Sequence, residues 1–159
     1  MDYPITPAVR YLRENKVQFV PHLYSYVEKG GTLESARALG VDEHAVVKTL
    51  IFETNEKKPL IVLMHGDRQV SAKNLARRIG VKSVEPATPH RATKFTGYQF
   101  GGTSPFGMRT DIPVYVETGI FYLEKIYING GKRGFLVEID PGVLKEVLNV
   151  EEVAVGIEN

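Results

Sequence analysis

The chain has 159 residues, 43% of them apolar and 25% charged, with a formal net charge of +1; this suits one soluble domain with a core of its own, spanning 1–159. It contains no cysteine, which excludes a disulfide framework, a thiol nucleophile and thiolate zinc sites, and its four histidines, His22, His44, His65 and His90, stand singly without the spacing of a metal site. The longest apolar run, Leu60 to Met64, is too short to cross a bilayer, the N-terminus carries no basic, apolar leader, and near-neutrality argues against a protein held to duplex DNA by excess basic charge; a cytoplasmic protein without membrane contact, metal or cofactor is expected.

In chain order, Thr6-Pro7 pairs a hydroxyl N-cap with proline at the first helical position and predicts a helix that Asn15 ends. Val17 to Tyr26 alternates unevenly and reads as a strand, with His22, Tyr24 and Tyr26 on or near one face. After Gly30-Gly31, Thr32 is expected to cap a helix over Leu33 to Leu39, and Asp42 a short turn over Glu43 to Ala45. Val46 to Glu53 and Leu60 to His65 are strong β-type runs, joined by a turn at Lys57-Lys58-Pro59. Ser71 caps a basic amphipathic helix, Ala72 to Ile79, whose inward face is Ala72, Leu75, Ala76 and Ile79. Thr88-Pro89 starts another helix, to about Lys94, which delivers the chain into a glycine-rich stretch. Strands follow at Val114 to Glu117, at Lys125 to Asn129 and, after a hairpin turn at Asn129-Gly130-Gly131-Lys132, at Phe135 to Ile139. Asp140-Pro141 opens a last helix through Leu148, and Val153 to Ile157 adds an edge strand. Helices and strands mix, with at least one antiparallel hairpin: a mixed α/β domain.

Chemistry concentrates in Gly97-Tyr98-Gln99-Phe100-Gly101-Gly102-Thr103-Ser104-Pro105-Phe106-Gly107. Such a stretch either makes a tight turn between helix and strand or points bare N–H groups at a ligand oxygen. Lys48 is the only charge within Val46 to Phe52; an unpaired ammonium is costly to bury there, so it either faces a cleft that holds an anion or snorkels from a sheet edge. His22, Tyr24 and Tyr26 are either pocket-lining groups or plain strand packing. Lys132-Arg133 sits at a hairpin tip, suited to phosphates or merely solvated. Ser104 has no nucleophile elbow around it and no base placed by spacing.

The order of these signals is more specific than any one of them. Thr6-Pro7-Ala8, His22-x-Tyr24, Val47-Lys48-Thr49-Leu50, Gly97-Tyr98, Gly101 to Gly107, and Gly130-Gly131-Lys132-Arg133-Gly134 followed by Val137-Glu138-Ile139 occur in series. The chain resembles the YbaK family of free-standing aminoacyl-tRNA editing domains, related to the editing insertion of bacterial prolyl-tRNA synthetases, from about Thr6 to Leu148. The resemblance implies a mixed, partly barrel-like β-sheet wrapped by helices. It also implies hydrolysis of the ester joining a wrong amino acid to the tRNA 3′ end, most often cysteine on tRNA specific for proline, with alanine or another small residue in relatives. Lys48 matches the family's essential lysine and Gly101 to Pro105 its GxxxP loop. The implied catalytic groups are Lys48 and the backbone of Gly101 and Gly102; the implied substrate contacts are His22, Tyr24, Thr103, Ser104 and Pro105. The nucleophile is then the substrate's own thiol, a tRNA 2′-hydroxyl or water, and no cofactor is needed. Two positions depart from the family: Gly31 stands near a position that is aromatic in some members, and Leu136 at a polar one. Both bear on amino-acid preference rather than on reaction type.

Near-neutrality makes a local basic rim the expected means of holding the tRNA acceptor end, built from Lys73, Arg77, Arg78, Lys94, Arg109, Lys132 and Arg133, with prolyl-tRNA synthetase as the partner that supplies tRNA selectivity. Two other classes stay open on the residues alone: a non-catalytic module that holds an aminoacyl or nucleotide ligand, and a small-molecule esterase that uses Ser104.

Overall fold

The computed structural model describes residues 2–159. In chain order the elements are α1 (Pro7–Glu14), β1 (Val20–Leu23), α2 (Gly31–Leu39), β2 (Val46–Thr54), β3 (Pro59–His65), β4 (Arg68–Val70), α3 (Ala72–Ile79), β5 (Val84–Pro86), α4 (Pro89–Thr96), β6 (Val114–Glu117), β7 (Ile126–Lys132), β8 (Phe135–Ile139), α5 (Val143–Val147), β9 (Val150–Val153) and β10 (Gly156–Glu158), with 3-10 turns at Glu43–Ala45 and Thr118–Tyr122. The main sheet runs β1-β8-β7-β2-β3-β6-β9, with β5 also pairing β2, and β10 with β4 forms a separate ribbon. Pairing is parallel for β2 with β7, β3 with β6 and β6 with β9, and antiparallel elsewhere. The mixed α/β class expected from the sequence is the one observed.

Strand alternation divides the core. On β3, Ile61 and Leu63 join one buried cluster with Leu12, Phe106, Ile128 and Phe135. Leu60, Val62 and Met64 point the other way, onto Leu75 and Ala76 of α3. A third cluster, Ala36, Val46, Tyr127 and Leu136, lies under α2. Both faces of β3 are covered, which is why it reads as a continuous apolar run.

Three helix caps follow the sequence: the side chains of Thr6, Ser71 and Thr88 accept from the N–H of Val9, Asn74 and Arg91 at 3.1, 3.2 and 3.3 Å. Ser71→Ala is expected to lower unfolding free energy by about 1 kcal/mol, measured as a lower denaturant midpoint at unchanged slope.

Other boundaries move for physical reasons. The expected strand Val17 to Tyr26 contracts to Val20–Leu23 because its partner β8 begins at Phe135, opposite Leu23. Thr32 does not cap α2; Gly30 occupies that position, and the Thr32 hydroxyl reaches Glu43 at 2.8 Å and the Gly66 carbonyl at 3.1 Å. α4 runs to Thr96, two residues past Lys94, and stops at left-handed Gly97. The hairpin turns at Arg133-Gly134: Asn129 Oδ1 accepts from the N–H of Gly131 and Lys132 at 2.7 and 3.1 Å, which converts the predicted turn into a bulge within β7. α5 is shorter than expected, and the terminal edge strand is split between β9 and β10.

Candidate functional site

A cavity of about 730 Å³ opens along the middle of β2. It exists because β2 is flanked on that edge by β7 only at Val46 and Val47, and by β5 only from Phe52 to Thr54. Residues of the segment between β1 and α2, of α2 itself, the glycine loop and the β7–β8 hairpin close it, among them Tyr24, Gly31, Gly101, Thr103, Asn129 and Leu136.

Lys48 lies in this wall, half-buried, on the same side of β2 as Val46 and Leu50. Its ammonium donates to the Arg68 carbonyl. Burial lowers its pKa below the ordinary lysine value, and the nearby carboxylates of Glu43 and Asp67 partly offset that. Asp67 is fixed in turn by His44 Nδ1 at 2.8 Å, and the His44 ring stacks on His65 at 3.8 Å between centroids. Lys48 is therefore a positioned cation in an apolar wall.

The glycine loop reaches the cavity at Gly101 and Thr103. Gly102 is buried, and a Cβ there would lie 2.8 Å from the Arg133 nitrogen and 2.9 Å from the Lys132 carbonyl carbon, so loop and hairpin meet backbone to backbone. Gly101 is left-handed at φ +89°. Arg133 locks the contact: its Nε donates to the Phe100 carbonyl at 2.9 Å, and its guanidinium lies 5.0 Å from the centre of the Tyr26 ring.

Of the residues singled out from sequence, Lys48, Tyr24, Gly101, Thr103 and Arg133 line the cavity; Gly102, His22, Ser104, Pro105 and Lys132 do not. His22 is occupied by Glu138 at 2.8 Å and packs on Tyr127. Ser104 is fully buried, and its Oγ accepts from the Phe106 N–H at 3.1 Å within its own loop, which removes the serine-esterase reading. Pro105 turns into the core beside it. The Gly102 N–H donates to the Gln99 carbonyl at 2.8 Å, while the N–H groups of Gly101 and Thr103, the two loop residues after Phe100 that line the cavity, have no hydrogen-bond partner among the described residues.

The expected basic rim is divided. Arg78 pairs with Glu151 at 2.9 Å. Lys73 and Arg77, with Lys82, line a smaller hollow of about 430 Å³ that shares Ala72 with the main cavity. Lys94, Arg109 and Lys132 line neither space. Sequence reasoning missed Asn129, whose Nδ2 donates to the Gly101 carbonyl at 3.4 Å; the Asn-Gly pair signalled a turn and masked that role. Among the described residues no three His, Asp or Glu side chains converge as metal ligands, and no helix is long and apolar enough to cross a membrane.

A family model described as an aminoacyl-tRNA editing domain matches residues 28–147. The Cys-tRNA(Pro)/Cys-tRNA(Cys) deacylase EbsC of Enterococcus faecalis, a provisional name, is 30% identical over 145 residues, spanning 91% of this chain and 88% of that protein. A proline–tRNA ligase of Ligilactobacillus salivarius is 29% identical over 128 residues, covering 78% of this chain and 22% of the ligase. A crystal structure described, again provisionally, as a trans-editing enzyme for prolyl tRNA synthetase has the same fold, with a TM-score of 0.82 at 21% identity over 97% of this chain and 99% of that one.

Proposed function

Since the chain belongs to the aminoacyl-tRNA editing domain family, we propose that it hydrolyses the ester between a wrong amino acid and the 3′ end of tRNA, with a cysteinyl ester on proline-specific tRNA as its substrate. The observation that supports this reading is the cavity itself, whose largely apolar wall includes both Lys48 and Gly101 of the glycine loop. In the reaction, the substrate thiol, or a water oriented by the neighbouring ribose hydroxyl, adds to the ester carbonyl. The carbonyl oxygen takes up negative charge facing the Gly101 N–H. The acyl carbon–ribose oxygen bond then breaks, and the ribose oxygen leaves with the proton given up by the nucleophile; attack by water releases the free amino acid directly, and attack by the thiol gives a thiolactone that a water then opens. Lys48 holds the terminal phosphate or ribose as a point charge, so that positioning supplies much of the rate. Arg133 at one end, and Lys73 and Arg77 at the other, offer charge to the acceptor strand. The protein acts in the cytoplasm, with prolyl-tRNA synthetase as the partner that delivers the tRNA.

Leu136, buried with Val46 and Tyr127, lines the cavity with hydrocarbon at a position that the family resemblance implies to be polar. That observation gives alanine a claim beside cysteine, because one small group in a pocket is worth only about 1–3 kcal/mol. Cysteinyl-, alanyl-, seryl- and prolyl-tRNA specific for proline, incubated with the protein, decide between them. Rapid loss of the cysteinyl ester is the expected result; preferred loss of the alanyl ester moves the substrate and keeps the reaction. No turnover on any ester by folded protein would sink the deacylase reading in favour of a ligand-holding module.

A further inference from the structure

Thr49 has no assigned role, yet three of its polar groups lack partners. Thr54 donates to the Lys58 carbonyl, and Val46 accepts from the Gly66 N–H, so the even-numbered residues of β2 bond to β3 and the odd-numbered ones point their N–H and C=O to the opposite edge. On that edge Val47 is the last position paired with β7, and Ile51 accepts from Ala87 on the β5 side. Thr49 falls between them. Continuing the β5 register would place Pro89 opposite it, but Pro89 has no N–H and already begins α4. The Thr49 side chain repeats the pattern: its Oγ1 is the one buried side-chain nitrogen or oxygen among the described residues with no hydrogen-bond partner. Thr49 lines the cavity beside Lys48.

A buried hydroxyl and an open ladder position are costly unless something fills them. The vacancy has the shape of one residue: a C=O that wants a donor, and an N–H that wants an acceptor one Cα away. An aminoacyl ester carries that pair, its α-ammonium and its carbonyl. Resting on the deacylase reading, we infer that Thr49 anchors the aminoacyl group as a single added residue of the sheet, its C=O and Oγ1 accepting from the α-ammonium and its N–H donating to the ester carbonyl. The contact recognises the part common to all amino acids, leaving choice among side chains to the surrounding wall.

The probe is 3′-deoxy-3′-(L-alanylamino)adenosine, whose amide cannot be cleaved as the ester is, compared with its N-acetyl form by calorimetric titration. Thr49→Val is expected to weaken binding of the free-amine probe about tenfold or more, Thr49→Ser to recover most of that affinity, and the N-acetyl probe to bind wild type and Thr49→Val equally poorly. Thr49→Val melts no lower than wild type, because no protein partner is lost. The anchor is overturned if wild type does not bind the free-amine probe, if Thr49→Val binds it as wild type does, or if the variant loses both probes alike. Hydrolysis of aminoacyl-tRNA, followed in parallel, separates the two ideas. Thr49-dependent binding without hydrolysis keeps the anchor and removes the deacylase, while hydrolysis with Thr49-independent binding does the reverse.

Discussion

Replacing Lys48 by alanine is expected to lower kcat/KM for aminoacyl-tRNA deacylation by at least about 100-fold while the fold survives. The asymmetry follows from the surroundings of the side chain. Among the described residues its one hydrogen-bond partner is the Arg68 carbonyl, and desolvation disfavours its charge, so the lysine adds little to stability and its removal leaves the backbone pairing of β2 intact. Lys48→Arg should not restore activity, because a planar fork cannot replace a compact ammonium at the end of a short reach. The pH dependence has opposite signs for activity and for stability. Burial lowers the Lys48 pKa, so a step that needs the cation declines as pH rises through that lowered value, before an ordinary lysine would discharge. Over the window between the lowered and the ordinary value the unfolded chain binds the extra proton, and folding stability therefore rises with pH. Lys48→Ala should flatten both trends. Initial rates corrected for spontaneous ester hydrolysis, together with melting temperatures across the same pH range, test this. A Lys48→Ala protein that melts normally and deacylates at the wild-type rate would remove Lys48 from the mechanism.

Lys48 was visible from sequence because one charge inside a run of β-branched and aliphatic residues breaks a local rule, and local rules are what a sequence displays. The same holds for the caps at Thr6, Ser71 and Thr88 and for the glycine loop. What the sequence concealed depends on pairings far along the chain. Ser104 looks like a loop hydroxyl, but its loop folds under itself and uses that oxygen for the Phe106 N–H. His22 looks like a pocket group until the register of β1 with β8 sets it across from Leu136 and within reach of Glu138. Asn129 signals a turn, while the bulge that it builds brings Arg133 against Phe100 across the glycine loop. The gap at Thr49 is the extreme case: nothing about a threonine in a strand predicts that two neighbouring strands will stop short on either side of it.

The largest loss of stability is expected at Arg91. Glu53 on β2 is 3% exposed, and both of its oxygens are held by the Arg91 guanidinium, Nε at 2.8 and 2.9 Å and Nη2 at 2.6 Å. This bidentate bond ties α4 to the sheet and so fixes the helix that ends at Gly97 and feeds the glycine loop. The bond holds the Glu53 carboxyl below the usual carboxylate range, against the opposing effect of burial. The pair therefore stabilises the fold above the ordinary carboxylate pKa, and that contribution disappears as pH falls through the lowered one. Arg91→Ala removes the donor and leaves the carboxylate buried, so burial, opposed only by the smaller effect of the Lys57 charge, pushes its pKa up. The variant should melt about 10 °C below wild type at about pH 7. Its deficit should shrink at about pH 5, where protonation relieves the stranded charge, the opposite of the slope that the intact pair imposes. Glu53→Leu combined with Arg91→Leu should recover most of the loss, since a well-packed apolar pair of similar size escapes the desolvation penalty altogether. Deacylation by Arg91→Ala, measured well below its melting point, should fall with Lys48 still in place, because the helix that positions Gly101 has lost its tether. A melting temperature within about 2 °C of wild type at both pH values would mean that the ion pair is incidental and that apolar contacts, such as Ala92 in the core, hold α4 by themselves.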